Sequence, residues 1–283
     1  MRVAHITDIH VERVPGVSQC MNKRAAGAVN LYVLGRASHF TRASQEALVA
    51  AVVAAEPDLV LCTGDLTATA TEAEFLGAAE LLAPLRDRFD WLVIPGNHDV
   101  YTDESVGRFA KHFGVVAPVR VERRGTWDLV LVNVCHPDWL SRGWLGKGGL
   151  GELEAALAAG ERPAMVALHY PLRNRHGERY GPATRACSDA EAIEAICTRH
   201  ARVRWVCHGH EHHGFRTAAP RSGDDLPILN PGAGGYAFLP ERGRTAHFCV
   251  YELDDSALVG VERQAFGGER FAPETGGAFA TGG

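Results

Sequence analysis

The sequence has no CxxC pair, no apolar run approaching the ~20 residues needed to cross a bilayer, and no surplus of positive charge. Each absence removes a class of protein. Its seven cysteines (Cys20, Cys62, Cys135, Cys187, Cys197, Cys207, Cys249) are odd in number, irregularly spaced and several lie within apolar runs. They read as buried thiols in a reducing compartment rather than as a disulfide framework. No basic stretch followed by an apolar one opens the chain, so no secretory leader is expected and the expected location is cytoplasmic, with no transmembrane segment. A net charge of −5 gives no global field for a nucleic-acid duplex or an anionic membrane. There is no internal repeat and no interdomain linker. With 283 residues, 46% of them hydrophobic, the chain can bury one large core or at most two small ones. The expectation is one domain over residues 1–266, followed by a flexible Gly-rich tail over 267–283.

One absence is local. No Asp or Glu lies between Glu12 and Glu46, whereas Arg13, Lys23, Arg24, Arg36 and Arg42 do, around an apolar stretch at 25–34. Connections this long tend to be functional or irregular. Residues 13–42 fit a solvated loop with a short helix. They equally fit a basic-apolar, lid-like insertion over a site for an anion that carries a greasy group, with peripheral membrane contact. Both readings stay open, as does the oligomeric state.

What is abundant is histidine, fourteen in all, and placement matters more than number. Apolar runs at 3–7, 58–62, 91–94, 126–134, 164–168 and 203–207 read as strands, alternating with helical patterns at 44–56, 71–88, 103–113, 152–159 and 188–200. Thr71 with Glu74 and Ser188 with Glu191 have capping-box spacing. This alternation predicts an α/β fold, with further strands at 227–229, 246–253 and 257–266. Five of the strands terminate in polar residues that bind metals: Asp8 and His10, Asp65, Asn97 with His98, His169, then His210 and His212. Ligands in α/β sheets sit just outside the carboxyl ends of strands, and imidazole with carboxylate suits Zn, Mn and Fe. One such histidine is ordinarily a hydrogen-bonded structural residue; five strand ends carrying Asp, Asn and His together are hard to explain that way. His5, in mid-strand, reads as core. His39, His112, His176, His200 and His247 read as surface or packing residues, and His136 and His213 as neighbours of the sheet edge.

In order, the chain reads Asp8-Ile9-His10, Gly64-Asp65, Gly96-Asn97-His98-Asp99, His169 and Gly209-His210-Glu211-His212. This series resembles the calcineurin-like metallophosphoesterases, and Asn230-Pro231-Gly232 adds to the likeness. The resemblance implies a four-layer sandwich of two packed mixed β-sheets flanked by helices, with a dinuclear metal site at the strand ends. It implies one metal on Asp8, His10 and His212, a second on Asn97, His169 and His210, and Asp65 bridging them. The metals would be two divalent or trivalent ions, with Mn, Fe or Zn foremost. It also implies a metal-bridging hydroxide as nucleophile, His98 as general acid and Asp99 orienting it. Two cations against two carboxylates want an anionic substrate. The expected activity is phosphoester hydrolysis, a phosphodiester before a monoester, on a small substrate such as a cyclic nucleotide. An amphiphilic phosphodiester or nucleotide-linked lipid pyrophosphate, suggested by residues 13–42, and a non-catalytic scaffold of the same fold are the alternatives.

Overall fold

A computed structural model of the chain describes residues 1–13 and 39–274. In chain order the elements are β1 (Arg2–Ile6), α1 (Arg42–Ala55), β2 (Leu59–Cys62), α2 (Glu72–Arg86), β3 (Asp90–Val93), α3 (Asp103–Phe113), β4 (Val119–Arg124), β5 (Trp127–Val132), α4 (Gly146–Ala158), β6 (Ala164–Ala167), α5 (Ala190–Arg199), β7 (Val203–Cys207), β8 (Phe215–Ala219), β9 (Leu226–Asn230), β10 (His247–Leu253), β11 (Leu258–Phe266) and β12 (Phe271–Pro273). They form two six-stranded mixed sheets, in the orders β12-β11-β10-β1-β2-β3 and β4-β5-β6-β7-β9-β8.

The period-2 alternation of the strands explains the layers. In β2, Leu59 and Leu61 enter the core between the sheets, while Val60 and Cys62 face the helices. In β5, Trp127, Leu129 and Leu131 meet that central core from the other side, while Val130 and Val132 pack towards α4 and α5. Strands covered on both faces read as continuous apolar runs, and those runs are what the sequence shows. The result is the expected helix–sheet–sheet–helix sandwich.

Three strands have no counterpart in the sequence reading: β4, β8 and β12. All three are sheet edges. An edge strand is half solvated and tolerates charge, so Val119–Arg124, with its three arginines, carries no apolar signal. The tail expected to be loose from Gly267 instead turns back, and β12 pairs with β11 through Phe271 opposite Phe266. Phe271 packs on Phe248, which holds this edge in place. Residues 275–283, and residues 14–38 of the lid-like insertion, lie outside the described part. The Thr71–Glu74 capping box forms. The Ser188–Glu191 box does not: the Asp189 carboxylate accepts the Leu145 and Gly146 N–H groups instead. It thereby caps α4, which starts earlier than its glycine content suggests.

β1, β2 and β3 run parallel in one sheet, and β5, β6, β7 and β9 in the other. The loops leaving β1, β2, β3, β6 and β7 carry all the candidate site residues.

Candidate metal centre

The structure brings the seven predicted ligands into two adjoining groups. Asp8, His10 and His212 offer ligand atoms that all lie within 4.8 Å of one another, and so do Asp65, His169 and His210. His212 Nε2 is 3.2 Å from His10 Nε2 and 3.5 Å from Asp8 Oδ1. Asn97 Oδ1 lies 3.1 Å from His169 Nε2 and 2.9 Å from His210 Nδ1. Asp65 stands between the groups, with Oδ2 at 3.6 Å from His10 Nε2 and 3.5 Å from His169 Nε2. His98 joins the cluster at its open side, within the same reach of His10 and Asp65.

Local backbone geometry aims these side chains. Asp8, His10, Asp65 and His210 all have positive φ, between 51° and 69°. Left-handed backbone at non-glycine residues costs of order 1–3 kcal/mol each and clusters at functional sites. Gly64 and Gly96 make the turns possible. Gly64 has φ of 98°, and a Cβ there would meet the Gly96 nitrogen at 2.2 Å, while a Cβ on Gly96 would meet Asp65 Oδ1 at 2.1 Å. Only glycine at both positions lets the loops after β2 and β3 close on each other.

Each carboxylate is anchored by one oxygen and presents the other. Asp8 Oδ2 accepts from Thr7 Oγ1 and from the His210 N–H, while Oδ1 is buried without a hydrogen-bond partner among the described residues. Asp65 Oδ1 accepts the His98 N–H at 2.8 Å. The rings are fixed from behind. His169 Nδ1 donates to the Thr63 carbonyl at 2.7 Å, His210 Nε2 donates to the Arg185 carbonyl at 3.1 Å, and His212 Nδ1 meets the Tyr236 hydroxyl at 3.1 Å. With those outer nitrogens donating, the neutral rings turn His169 Nε2 and His210 Nδ1 to each other as lone pairs 3.4 Å apart, with the side-chain oxygen of Asn97 between them. Acceptors pointed at acceptors, beside an orphaned carboxylate oxygen, are repulsive unless a cation sits among them. The donor set of imidazole, carboxylate and amide oxygen fits a pair of borderline cations.

Protons and cations compete for these atoms. Burial pushes Asp8 up despite the opposing charges of His212 and His169. Burial also acts on Asp65, but the rings of His169 and His98 hold it well below the usual carboxylate range. His169 is disfavoured as a cation by burial, yet Asp65 carries it up to about 9, so near neutral pH its Nε2 holds a proton that a cation would have to displace. His210, buried beside His169, is held well below the ordinary histidine range.

Asp99 requires a correction. Its carboxylate accepts the N–H groups of Gly96, Leu66 and Thr67 and the Thr67 hydroxyl, so it ties the β2 and β3 loops together. The group that holds the His98 ring is the Ala68 carbonyl, which accepts from Nδ1 at 2.6 Å. Neither Ala68 nor the carbonyls of Thr63 and Arg185 was legible in the sequence, because main-chain acceptors leave no residue-type signature. Tyr101 and Tyr236 were missed as well, although both are aromatic residues close to the motif segments. Asp65, Asn97, His98, Tyr101, Ser141 and Arg185 are among the residues lining a pocket of about 300 Å³ over the cluster. Among the other histidines, His5 is core as expected, bonded to Tyr251 and Thr63. His136 stacks on Trp144.

Residues 1–214 match the calcineurin-like phosphoesterase family, and the chain belongs to it. The chain is 30% identical over 178 residues to the 3′,5′-cyclic adenosine monophosphate phosphodiesterase CpdA of Vibrio vulnificus, covering 61% of each chain. It is 25% identical over 156 residues to a probable cyclic nucleotide phosphodiesterase of Vesicomyosocius okutanii, covering 55% of this chain and 62% of the relative. The chain thus spans about three-fifths of the length of these curated relatives. Among solved structures, a dimetal phosphatase from Danio rerio superposes with a TM-score of 0.65 at 14% identity, covering 96% of this chain and 98% of that one. At that identity the likeness concerns the fold.

Proposed function

We propose that this chain is a metal-dependent phosphodiesterase acting on a small phosphodiester anion, with a cyclic nucleotide as the first candidate. The observation that carries the reading is the inward-facing acceptor set: the open oxygens of Asp8 and Asp65 with the lone pairs of His169 and His210. One cation would be held by Asp8, His10 and His212, the other by Asn97, His169 and His210, and Asp65 Oδ2 would serve both. Two cations there would supply Lewis acidity towards a phosphoryl oxygen and towards the attacking water.

The chain's own residues contribute position and protons. Hydrolysis forms a P–O bond to the water oxygen, which gives up a proton to solvent, and breaks the P–O bond to the leaving oxygen, which must depart with a proton. His98 lines the pocket, and its Nδ1 is occupied by the Ala68 carbonyl. A proton for the leaving oxygen therefore comes from Nε2 of the imidazolium form, with Asp65 as the adjacent counter-charge. Asp99 acts through the loop geometry that keeps Asp65 and His98 in register. The two curated relatives, a cyclic AMP phosphodiesterase and a probable cyclic nucleotide phosphodiesterase, support the cyclic-nucleotide preference. The six described cysteines are buried free thiols, which suits a reducing cytoplasm, and no helix among the described residues is long and apolar enough to cross a membrane.

The test is turnover of bis(p-nitrophenyl) phosphate and of 3′,5′-cyclic AMP by the full chain loaded with Mn²⁺. Hydrolysis of both is expected. No turnover with Mn, Zn, Fe, Co or Ni would replace the enzyme with a binding scaffold of the same fold.

A further inference from the structure

A second cavity, of about 340 Å³, opens beside the pocket over the metal-ligand cluster. Tyr101 lines both. A single loop also serves both: Pro137, Asp138 and Trp139 line the second cavity, and Leu140 and Ser141, next in sequence, line the first. The two spaces are therefore adjoining compartments of one cleft. Their combined extent lies within the roughly 300–1,000 Å³ of small-molecule sites.

The wall between them also carries the residue placed to supply a proton. The His98 ring stacks on Tyr101, with centroids 5.8 Å apart and planes at 24°. Tyr101 thus touches both the ring of His98 and the second compartment, so a group carried on the phosphodiester can extend past Tyr101 from one compartment into the other. Trp139 stands there 75% exposed. A large ring left in water at the edge of a polar cleft is what a stacking partner looks like before its ligand arrives. The remaining lining is acidic. Glu104 and Asp138 are neutralised by Arg108 and Arg142 at 2.9 and 3.0 Å. Asp103, exposed at the start of α3, has no ion partner among the described residues and can accept from a hydroxyl or amino group. An unbalanced carboxylate disfavours further phosphates and anionic headgroups.

We infer that this compartment is the subsite for a flat, uncharged ring system, a nucleobase with its sugar, carried by the phosphodiester, and that Trp139 is its stacking face. The inference builds on the phosphodiesterase reading and narrows it: nucleosides are admitted, whereas pyrophosphate extensions and acyl chains are not.

Adenosine, which carries no phosphate, probes the subsite separately from the chemistry. Calorimetric titration of the Mn²⁺-loaded full chain is expected to show saturable binding. Trp139→Ala should weaken it by roughly 5- to 150-fold, the range for loss of one base–aromatic stack, and Trp139→Phe should restore most of it. Absence of saturable binding to the wild type, or an equal Kd in wild type and Trp139→Ala, overturns the subsite. Tighter binding of decyl phosphate with the same dependence on Trp139 overturns it in favour of an acyl-chain groove. Turnover of bis(p-nitrophenyl) phosphate by the same preparations keeps the two readings apart. A chain that binds adenosine through Trp139 but hydrolyses nothing loses the phosphodiesterase and keeps the subsite. One that hydrolyses but binds adenosine indifferently to Trp139 loses the subsite alone.

Discussion

Acidification should destabilise this protein through a histidine that lies outside the metal centre. His5 is fully buried in β1, with Nδ1 at 2.8 Å from the Tyr251 hydroxyl and Nε2 at 2.8 Å from Thr63 Oγ1. Burial, with a smaller contribution from His208, lowers its pKa from 6.5 to about 3. A histidine whose pKa falls on folding binds protons more tightly in the unfolded chain. Its contribution to stability is therefore intact above about pH 6.5 and is lost progressively as the pH falls towards 3. Between pH 7.5 and 5.0 the linkage relation gives a loss of about 2 kcal/mol from His5 alone. The effect reaches the metal centre through Thr63, whose hydroxyl meets His5 and whose carbonyl holds His169. Urea unfolding of the wild type and of His5→Gln at both pH values isolates the contribution. The wild type should lose about 2 kcal/mol more than the variant over that interval. Equal losses would show that His5 is not buried as a neutral ring.

Three further outcomes are expected. His98→Ala should retain both metals by elemental analysis, yet lose ~10²–10⁴-fold in turnover of an alkyl phosphodiester and much less with a p-nitrophenolate leaving group; full activity on the alkyl ester would remove His98 as the acid. Asp65→Ala should lose metal as well as activity, because it takes away the oxygen that faces both groups, and near-normal metal content would contradict a shared ligand. Gly96→Ala places a Cβ 2.1 Å from Asp65 Oδ1, so metal affinity should fall by at least the ~10–100-fold seen when supporting groups are disturbed; unchanged affinity would mean that the two loops are not in close apposition.

The five segments that build the centre were legible because a strand covered on both faces is a continuous apolar run, and its end is marked by abrupt polarity. That is why Asp8, Asp65, Asn97, His169 and His210 could be located from the residues alone. The edge strands β4, β8 and β12 were not legible, since solvent on one side leaves charged and apolar residues equally acceptable there. Residue types also suggested the wrong partner for His98. Asp99 is adjacent in sequence and chemically suited to orient an imidazole, but its oxygens are taken by the Gly96, Leu66 and Thr67 N–H groups. The ring is held by a main-chain carbonyl, and carbonyls are the same in every residue.

Sequence alone therefore determined the inventory: which side chains could bind cations, in what order, and at the ends of which buried strands. It could do so because hydrophobic periodicity and residue chemistry are local properties. Only the tertiary structure decided which oxygen of each carboxylate is free, which nitrogen of each ring points inward, and that Tyr101 separates two compartments of one cleft. Those features depend on hydrogen bonds and packing between residues dozens to some two hundred positions apart, brought together only when the two sheets close on their common core.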